Sequence, residues 1–299
     1  MQYLGEFAAL GTSVSWTATA TFFALAGGRV GSVVVNRVRL VFGAAFLVTA
    51  HWVLTGAPVP FGAEPFRWAW LGASGVVGLV IGDAFLFQAF VWIGARLSML
   101  MMSLVPVFGA VLAWLFLGEE LTGGQAAGVV LTISGVGWVV LAGRSGSKRE
   151  DRPQLLLGVA FGLGAALAQA LGLIGAKEGL AGDFSPLSGT LIRVLAGMGV
   201  LWAITILQRQ AAPTVRRVLI ERRALWHIVG GSFFGPFVGV TLSLAAVQAT
   251  EVGVASTLMS LPPVFLLPVG YVVFGERFGW QALAGTALAL VGVAVLFLV

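Results

Sequence analysis

The chain has 299 residues, of which 59% are hydrophobic and 10% charged, with a mean hydropathy of +1.00. A soluble domain carries about 25% charged residues, so this chain lacks the means to cover a water-facing surface and reads as an integral membrane protein. The absence of cysteine excludes disulfides, thiol nucleophiles and Cys-ligated metal, and the net charge of +5 reads as loop arginines facing anionic lipid rather than a nucleic-acid surface.

Crossing a bilayer takes about 20 apolar residues. Ten stretches qualify, at roughly 7–26, 33–55, 68–91, 97–117, 124–142, 155–177, 187–207, 225–248, 253–274 and 280–298, numbered here as spans 1 to 10. No basic region precedes the first apolar run, so no cleavable signal peptide is expected. The breaks are polar or rich in Gly and Pro. The most hydrophilic of them, RSGSKREDRP at 144–153, lies at the midpoint and reads as a linker (143–153) between two halves, 1–142 and 154–299.

The halves carry the same unit. The stretch 102–120, MSLVPVFGAVLAWLFLGEE, recurs at 259–277 as MSLPPVFLLPVGYVVFGER, an offset of 157 that also relates Gly78 and Gly82 to Gly235 and Gly239 and continues through Gly128/Gly285 and Gly135/Gly292. Arg39 and Arg193 correspond at 154. Five spans per half is odd, so the second half enters the membrane upside down. The expected fold is all-α, with ten transmembrane helices in two inverted five-helix repeats around a central cavity, an arrangement typical of secondary transporters. If the N-terminal side is called A and the other B, side B collects nearly all loop arginines and lysines, whereas side A holds Arg67 and Lys177. Side B is then expected to be cytoplasmic and both termini outside.

Few polar groups lie at membrane depth, which makes each informative. Pro106 and Pro263 fall near the middle of spans 4 and 9, where each removes a backbone donor and frees the carbonyl four residues back, on Met102 and Met259. Such kinks either shape the helix or form opposite walls of a central site. The duplicated Met102-Ser103 and Met259-Ser260 favour the wall. Gly118 and Gly275 suit left-handed C-caps, and Glu119 and Glu276 after them suit the positive end of the next helix. A sharper role for these acids is a cross-repeat lock, Arg39 with Glu276 and Arg193 with Glu119 or Glu120, structural or gating. Asp83 is a deep carboxylate whose repeat-mate is Val240; it reads as a contact for a substrate amine, a proton-coupling site or a structural hydrogen-bond partner. Glu6, near the start of span 1, is a second titrating candidate. Span 1 is rich in hydroxyls around Trp16, with Thr12, Trp16 and Thr19 on one face, and Gln169 sits at similar depth in span 6. These line a polar cavity, or the hydroxyls bond back to their own helix in close packing.

Gly118-Glu119-Glu120-Leu121-Thr122 with Gln125, Gly128 and Gly135 resembles the end of an EamA domain. So does the segment with Gly82-Asp83, Phe87-Gln88-Ala89, Gly94-Ala95-Arg96, Ser98, Ser103-Leu104 and Pro106, and Gly275-Glu276-Arg277-Phe278 marks the second copy. The chain is similar over nearly its whole length to the drug/metabolite transporter superfamily. That resemblance implies a cavity built mainly by spans 1, 3, 4, 6, 8 and 9, lined by Trp16, Asp83, Gln88, Ser103, Gln169 and Ser260, and export or exchange of amino acids and other small metabolites. The expectation is thus a multi-pass carrier in a prokaryotic cytoplasmic membrane, moving a small polar or zwitterionic metabolite by alternating access. It needs no cofactor, ATP-binding domain or nucleic acid, and proton coupling is an option. A channel or lipid scramblase is the rival. A membrane enzyme is disfavoured, because the histidines His51 and His227 are isolated and no carboxylate pair lies at one depth.

Overall fold

The structure, a computed structural model, describes residues 3–117, 122–146, 152–182, 184–249, 258–276 and 279–298. It is all-α, with ten transmembrane helices in two inverted five-helix repeats. The helices are Leu4–Val30 (span 1), Ser32–Thr55 (span 2), 65–93 (span 3), 95–117 (span 4), Gly123–Gly146 (span 5), Arg152–Gly179 (span 6), Pro186–Leu207 (span 7), 222–249 (span 8), 258–274 (span 9) and Trp280–Leu298 (span 10). Of the linker, 147–151 lie outside the described residues, as do Gly118, Glu119, Glu120 and Arg277.

Spans 3 and 4 form one nearly continuous helical path, divided at Gly94. Its φ of 77° with ψ of 164° is open to a residue without Cβ, and it turns the chain back into the membrane. Span 9 ends as its sequence suggests, with Gly275 in the left-handed conformation (φ 66°, ψ 21°) and Glu276 N–H donating to Gly270 O.

The expected proline kinks are full interruptions. Span 4 stops at Met102, takes a tight turn through Ser103 and Leu104, and restarts as Val105–Leu117 with Pro106 at its second residue. Span 9 turns at Ser260 and Leu261 and restarts as Pro262–Phe274. The turns use matching bonds: Leu104 N–H to Met101 O and Phe108 N–H to Leu104 O in one, Leu261 N–H to Leu258 O and Phe265 N–H to Leu261 O in the other. A proline in the first turn of a helix sacrifices nothing, because its missing N–H would have had no partner there. Each restarted segment has 13 residues, or about 20 Å of helix, enough to run from the membrane interior to one face.

A second backbone device is also duplicated. Span 3 widens into a π-helix over Val76–Gly82 and span 8 over Phe233–Gly239, seven residues each at the same offset of 157. In the second copy Pro236 supplies a local reason, since it has no N–H to donate. In the first, Gly75, Gly78 and Gly82 leave the backbone bare. Between spans 7 and 8 lies a short amphipathic helix, Ala211–Ile220, that the pattern of apolar runs presents only as a polar break. Thr214 and Val218 face the protein, while Val215 and Leu219 are exposed. Arg37 of span 2 ties it down by donating to Thr214 Oγ1 at 2.9 Å and Gln208 Oε1 at 3.2 Å.

Spans 5 and 10 pack against each other at the edge of the bundle with backbones in contact. A Cβ on Gly128 would lie 2.5 Å from Leu296 N, and one on Gly135 would overlap the backbone of Ala289; Gly292 and Gly285 return the contact. This is small-residue packing in a membrane. Gly135→Ala is expected to lower stability by about 1–3 kcal/mol, whereas Gly137→Ala, which points into open space, is expected to be neutral or mildly stabilising. Thermal unfolding of the two variants in the same detergent compares them directly.

Candidate functional site

The first π-helix poses a problem that the site solves. Widening a helix in the membrane interior loosens its backbone ladder, so that Gly78 O and Val80 O share the Asp83 N–H, and no water is at hand to supplement it. Three side chains from neighbouring spans reach its carbonyls. Gln169 Nε2 donates to Gly78 O at 3.2 Å, Arg39 Nη2 to Leu79 O at 2.8 Å and Asn36 Nδ2 to Val80 O at 3.1 Å. Asp83, one residue past the π-helix, then collects the same donors. Its Oδ2 accepts from Arg39 Nη2 at 2.5 Å and its Oδ1 from Gln169 Nε2 at 2.9 Å. Arg39 Nε donates to Asn36 Oδ1 at 3.0 Å, and the guanidinium lies 5.0 Å from the centre of the Phe87 ring. Spans 2, 3 and 6 are thus tied by one buried network. Arg39 and Asp83 are 3% and 6% exposed, so little solvent screens the pair.

Asp83 is therefore engaged on both oxygens from within the protein. Of the three roles open to it in the sequence, these bonds are those of a structural partner, and each oxygen keeps a second lone pair. The expected lock between Arg39 and Glu276 is not formed, because Arg39 is engaged inside its own repeat. Glu276 instead meets Arg96 at 3.4 Å, which still joins the two repeats, on side B. The expected partner of Arg193, Glu119, lies outside the described residues. Arg193 itself crosses span 3 where a Cβ on Gly75 would overlap its carbonyl. Its Nη2 would lie 3.4 Å from a Cβ placed on Gly78, beside Gln169 Oε1 at 3.3 Å.

The span 1 hydroxyls pack. Thr12 and Thr19 donate to Ala8 O and Ser15 O, both at 2.8 Å, and both residues are buried, so the face expected to present them to a solute is closed. Ser13 Oγ reaches across to Leu258 O in span 9 at 2.5 Å. Trp16 behaves differently. It is half-buried, packs on the apolar cluster with Phe23, Phe87 and Leu266, and lies over Gly239, with its Cε2 3.6 Å from where a Cβ would be. Gln169 stands in the mirrored place, with its Nε2 3.5 Å from the Cβ position of Gly82. Trp16 on the second π-helix and Gln169 on the first are thus equivalent positions in opposite repeats.

The remaining candidates are spread along the centre. Ser103 Oγ closes its own turn on Leu100 O at 2.6 Å, and Ser260 occupies the matching turn of span 9. Met102 and Met259 are half-buried beside these turns, each in contact with an apolar cluster. Gln88 lies farther toward side B, where its Oε1 accepts from Ser32 Oγ at 2.5 Å. Glu6 is half-buried in the first turn of span 1. Sequence reasoning missed Asn36, Ser32 and Arg96. Asn36 was recoverable, since it precedes Arg39 by three residues and shares its helix face.

The comparisons fit this geometry. The model of the EamA-like transporter family matches residues 3–141 and again 156–298. The chain belongs to the EamA-like transporter family. It is similar to an uncharacterized transporter of Archaeoglobus fulgidus, at 23% identity over 223 residues, covering 75% of each chain. A crystal structure matches all of this chain and 98% of its own with a TM-score of 0.67 at 16% identity, a likeness of fold. As an EamA-like transporter family member the protein is a membrane transporter with a small-molecule substrate in a lipid bilayer.

The network makes a quantitative demand. Arg39→Gln or Asp83→Asn alone strands a buried charge and is expected to cost about 3–5 kcal/mol. The double variant is expected to cost less than the sum, with a coupling of about 1–3 kcal/mol. Thermal unfolding of the four proteins reads it, and additive losses would show that the two residues act separately.

Proposed function

We propose that this protein is a secondary transporter that moves a small polar or zwitterionic metabolite, amino-acid-like in size, by alternating access, in the direction of export or by exchange across a prokaryotic cytoplasmic membrane. The observation that carries this reading is the duplicated and inverted pair of broken spans and π-helices, which brings non-helical backbone and polar side chains into the membrane interior from both repeats. Irregular backbone at that depth is tolerated where it faces protein or a solute path, and in inverted-repeat carriers it marks the substrate site. On this reading Trp16 gives the solute an apolar wall, Gln169 a polar one, and the Ser103 and Ser260 turns bound it from the two repeats. Glu6 and Asp83 are the groups through which a proton could be coupled; Glu6 is the more accessible of them.

The conformation supports a state closed on side B. The largest apolar cluster gathers Val30, Val34, Val35, Phe90, Ala95, Val218, Ala224 and Ile228 toward that side, and Arg96–Glu276 bridges the repeats there. With side B cytoplasmic by the arginine bias, this is an outward-facing form. Glu276→Gln is expected to weaken the closure and speed labelling of a cysteine introduced at Met102 from side B by several-fold; unchanged labelling would remove the pair from gating.

One observation favours the rival reading of a lipid scramblase. An apolar groove of about 550 Å³, lined by Phe46, Thr49, Ala50, Val53, Leu54 and Phe237, opens sideways between spans 2 and 8. Uptake into proteoliposomes separates the two. A carrier gives saturable flux of a labelled amino acid or metabolite, accelerated by the same solute inside and reduced at least tenfold by Trp16→Ala. A scramblase moves labelled phospholipid between leaflets instead, and a channel gives flux that does not saturate.

A further inference from the structure

The polar cluster holds two guanidinium groups and one carboxylate, and the inverted repeat explains why. Arg39 and Arg193 are repeat-mates. Their backbones are held alike: Ser232 Oγ of span 8 donates to Arg39 O at 3.2 Å, and Gly75 of span 3, the residue 157 positions before Ser232, abuts Arg193 O. In the first repeat the arginine meets its acid, Asp83, at 2.5 Å. In the second repeat the position equivalent to Asp83 is Val240. The fold has duplicated the cation without duplicating its partner.

Asp83 hydrogen-bonds one of them and acts on the other, Arg193, only through space. Its Oδ2 is taken by Arg39 and its Oδ1 by Gln169. Arg193 Nε is enclosed and has no hydrogen-bond partner, and Arg193 forms no ion pair among the described residues. Its Nη2 lies over Gly78, 3.4 Å from where a Cβ would stand, with Gln169 Oε1 at 3.3 Å from the same point. An arginine stays charged in a protein; Asp83 offsets this one only through space, and a charge at membrane depth with no hydrogen-bonded anion is expensive enough to imply a function. The group that would complete the cluster carries one negative charge, matches a planar two-pronged donor and is not found among the described residues.

We propose that Arg193 binds a carboxylate of the transported solute, so that the cargo belongs to small monocarboxylic acids, amino acids among them. This rests on the transporter reading above and reverses the polarity that Asp83 suggests from sequence. The solute is held by its acid end, through a charge-assisted and potentially bidentate pair, while Gln169 Oε1, whose amide nitrogen is already committed, accepts from a donor on the same solute. The net charge of the cluster, +1, suits one carboxylate better than a phosphate, which carries −1.5 to −2 at neutral pH.

The test is ligand-induced thermal stabilisation of the purified full-length protein in detergent. The probes are the twenty amino acids, acetate, lactate and succinate, the primary amides of those that bind, and inorganic phosphate. The expected result is that at least one monocarboxylate raises the unfolding temperature with dose, that its amide does not, and that Arg193→Gln weakens its apparent affinity by about 30-fold or more. Arg193→Lys, which keeps the charge and loses the fork, is expected to fall between. Gly78→Ala, which keeps every charge and sets a methyl group against Arg193 Nη2 and Gln169 Oε1, is expected to weaken binding as well. If Arg193→Gln does not fold, Arg193→Lys, Gly78→Ala and the acid–amide comparison decide the matter. Equal response to acid and amide, equal affinity in Arg193→Gln, stabilisation by phosphate alone, or no response to any carboxylate overturns the proposal. Saturable flux of a neutral or cationic solute that is indifferent to Arg193→Gln would leave the transporter reading standing and this one refuted. Carboxylate binding through Arg193 without flux would do the reverse.

Discussion

A π-helix in the middle of a bilayer has carbonyls to satisfy and nothing but protein to satisfy them. That constraint organises the core of this molecule. Gly78, Leu79 and Val80 offer their oxygens in sequence, and Gln169, Asn36 and Arg39 come from two other spans to meet them. An arginine brought to that depth needs an anion, and Asp83 provides it one residue beyond the widened turn. The charge pair is thus a consequence of the backbone as much as a cause of its shape. Spans 2, 3 and 6 are fixed relative to one another by polar geometry rather than by greasy contact, which in lipid has no hydrophobic driving force behind it.

The two repeats share backbone and differ in side chain. Broken spans, π-helices and the glycines under them recur at one offset, yet the residues projecting from them do not. Trp16 stands opposite Gln169, Val240 opposite Asp83 and Ser232 opposite Gly75. The second π-helix is settled locally, by Pro236 and by the hydroxyls of Thr241 and Ser243, which bond to Phe237 O and Val240 O in their own helix. The backbone is symmetric between the repeats, whereas the side chains are not: the first π-helix is met by Gln169 and the second by Trp16.

Much of this was legible in the sequence because the bilayer enforces it. Span number, span limits to within a few residues, the inverted repeat and the left-handed end at Gly275 follow from hydropathy, an internal offset and glycine placement. What was not legible is who meets whom. Arg39 was assigned to Glu276 on the ground that both lie toward side B, but depth alone does not choose among acids. Counted from the side B ends of spans 2 and 3, Arg39 and Asp83 lie about 10 and 15 Å deep, within an arginine's reach of each other, and nothing in the sequence announced the π-helix that draws them together. Hydroxyls in a membrane helix are ambiguous for a related reason: Thr12 and Thr19 share a face with Trp16, yet each can satisfy itself on the carbonyl four residues back. The amphipathic helix at 211–220 was hidden because a segment lying along the surface leaves no apolar run.

The contact between spans 5 and 10 has a mechanical meaning. Where Gly128, Gly135, Gly285 and Gly292 bring two antiparallel backbones together, neither helix can slide or roll without driving main chain into main chain. This pair is a backbone-to-backbone seam between the halves, at the periphery of the bundle. A methyl group added at any of these glycines is therefore felt by both repeats at once, although each carries only its own half of the seam.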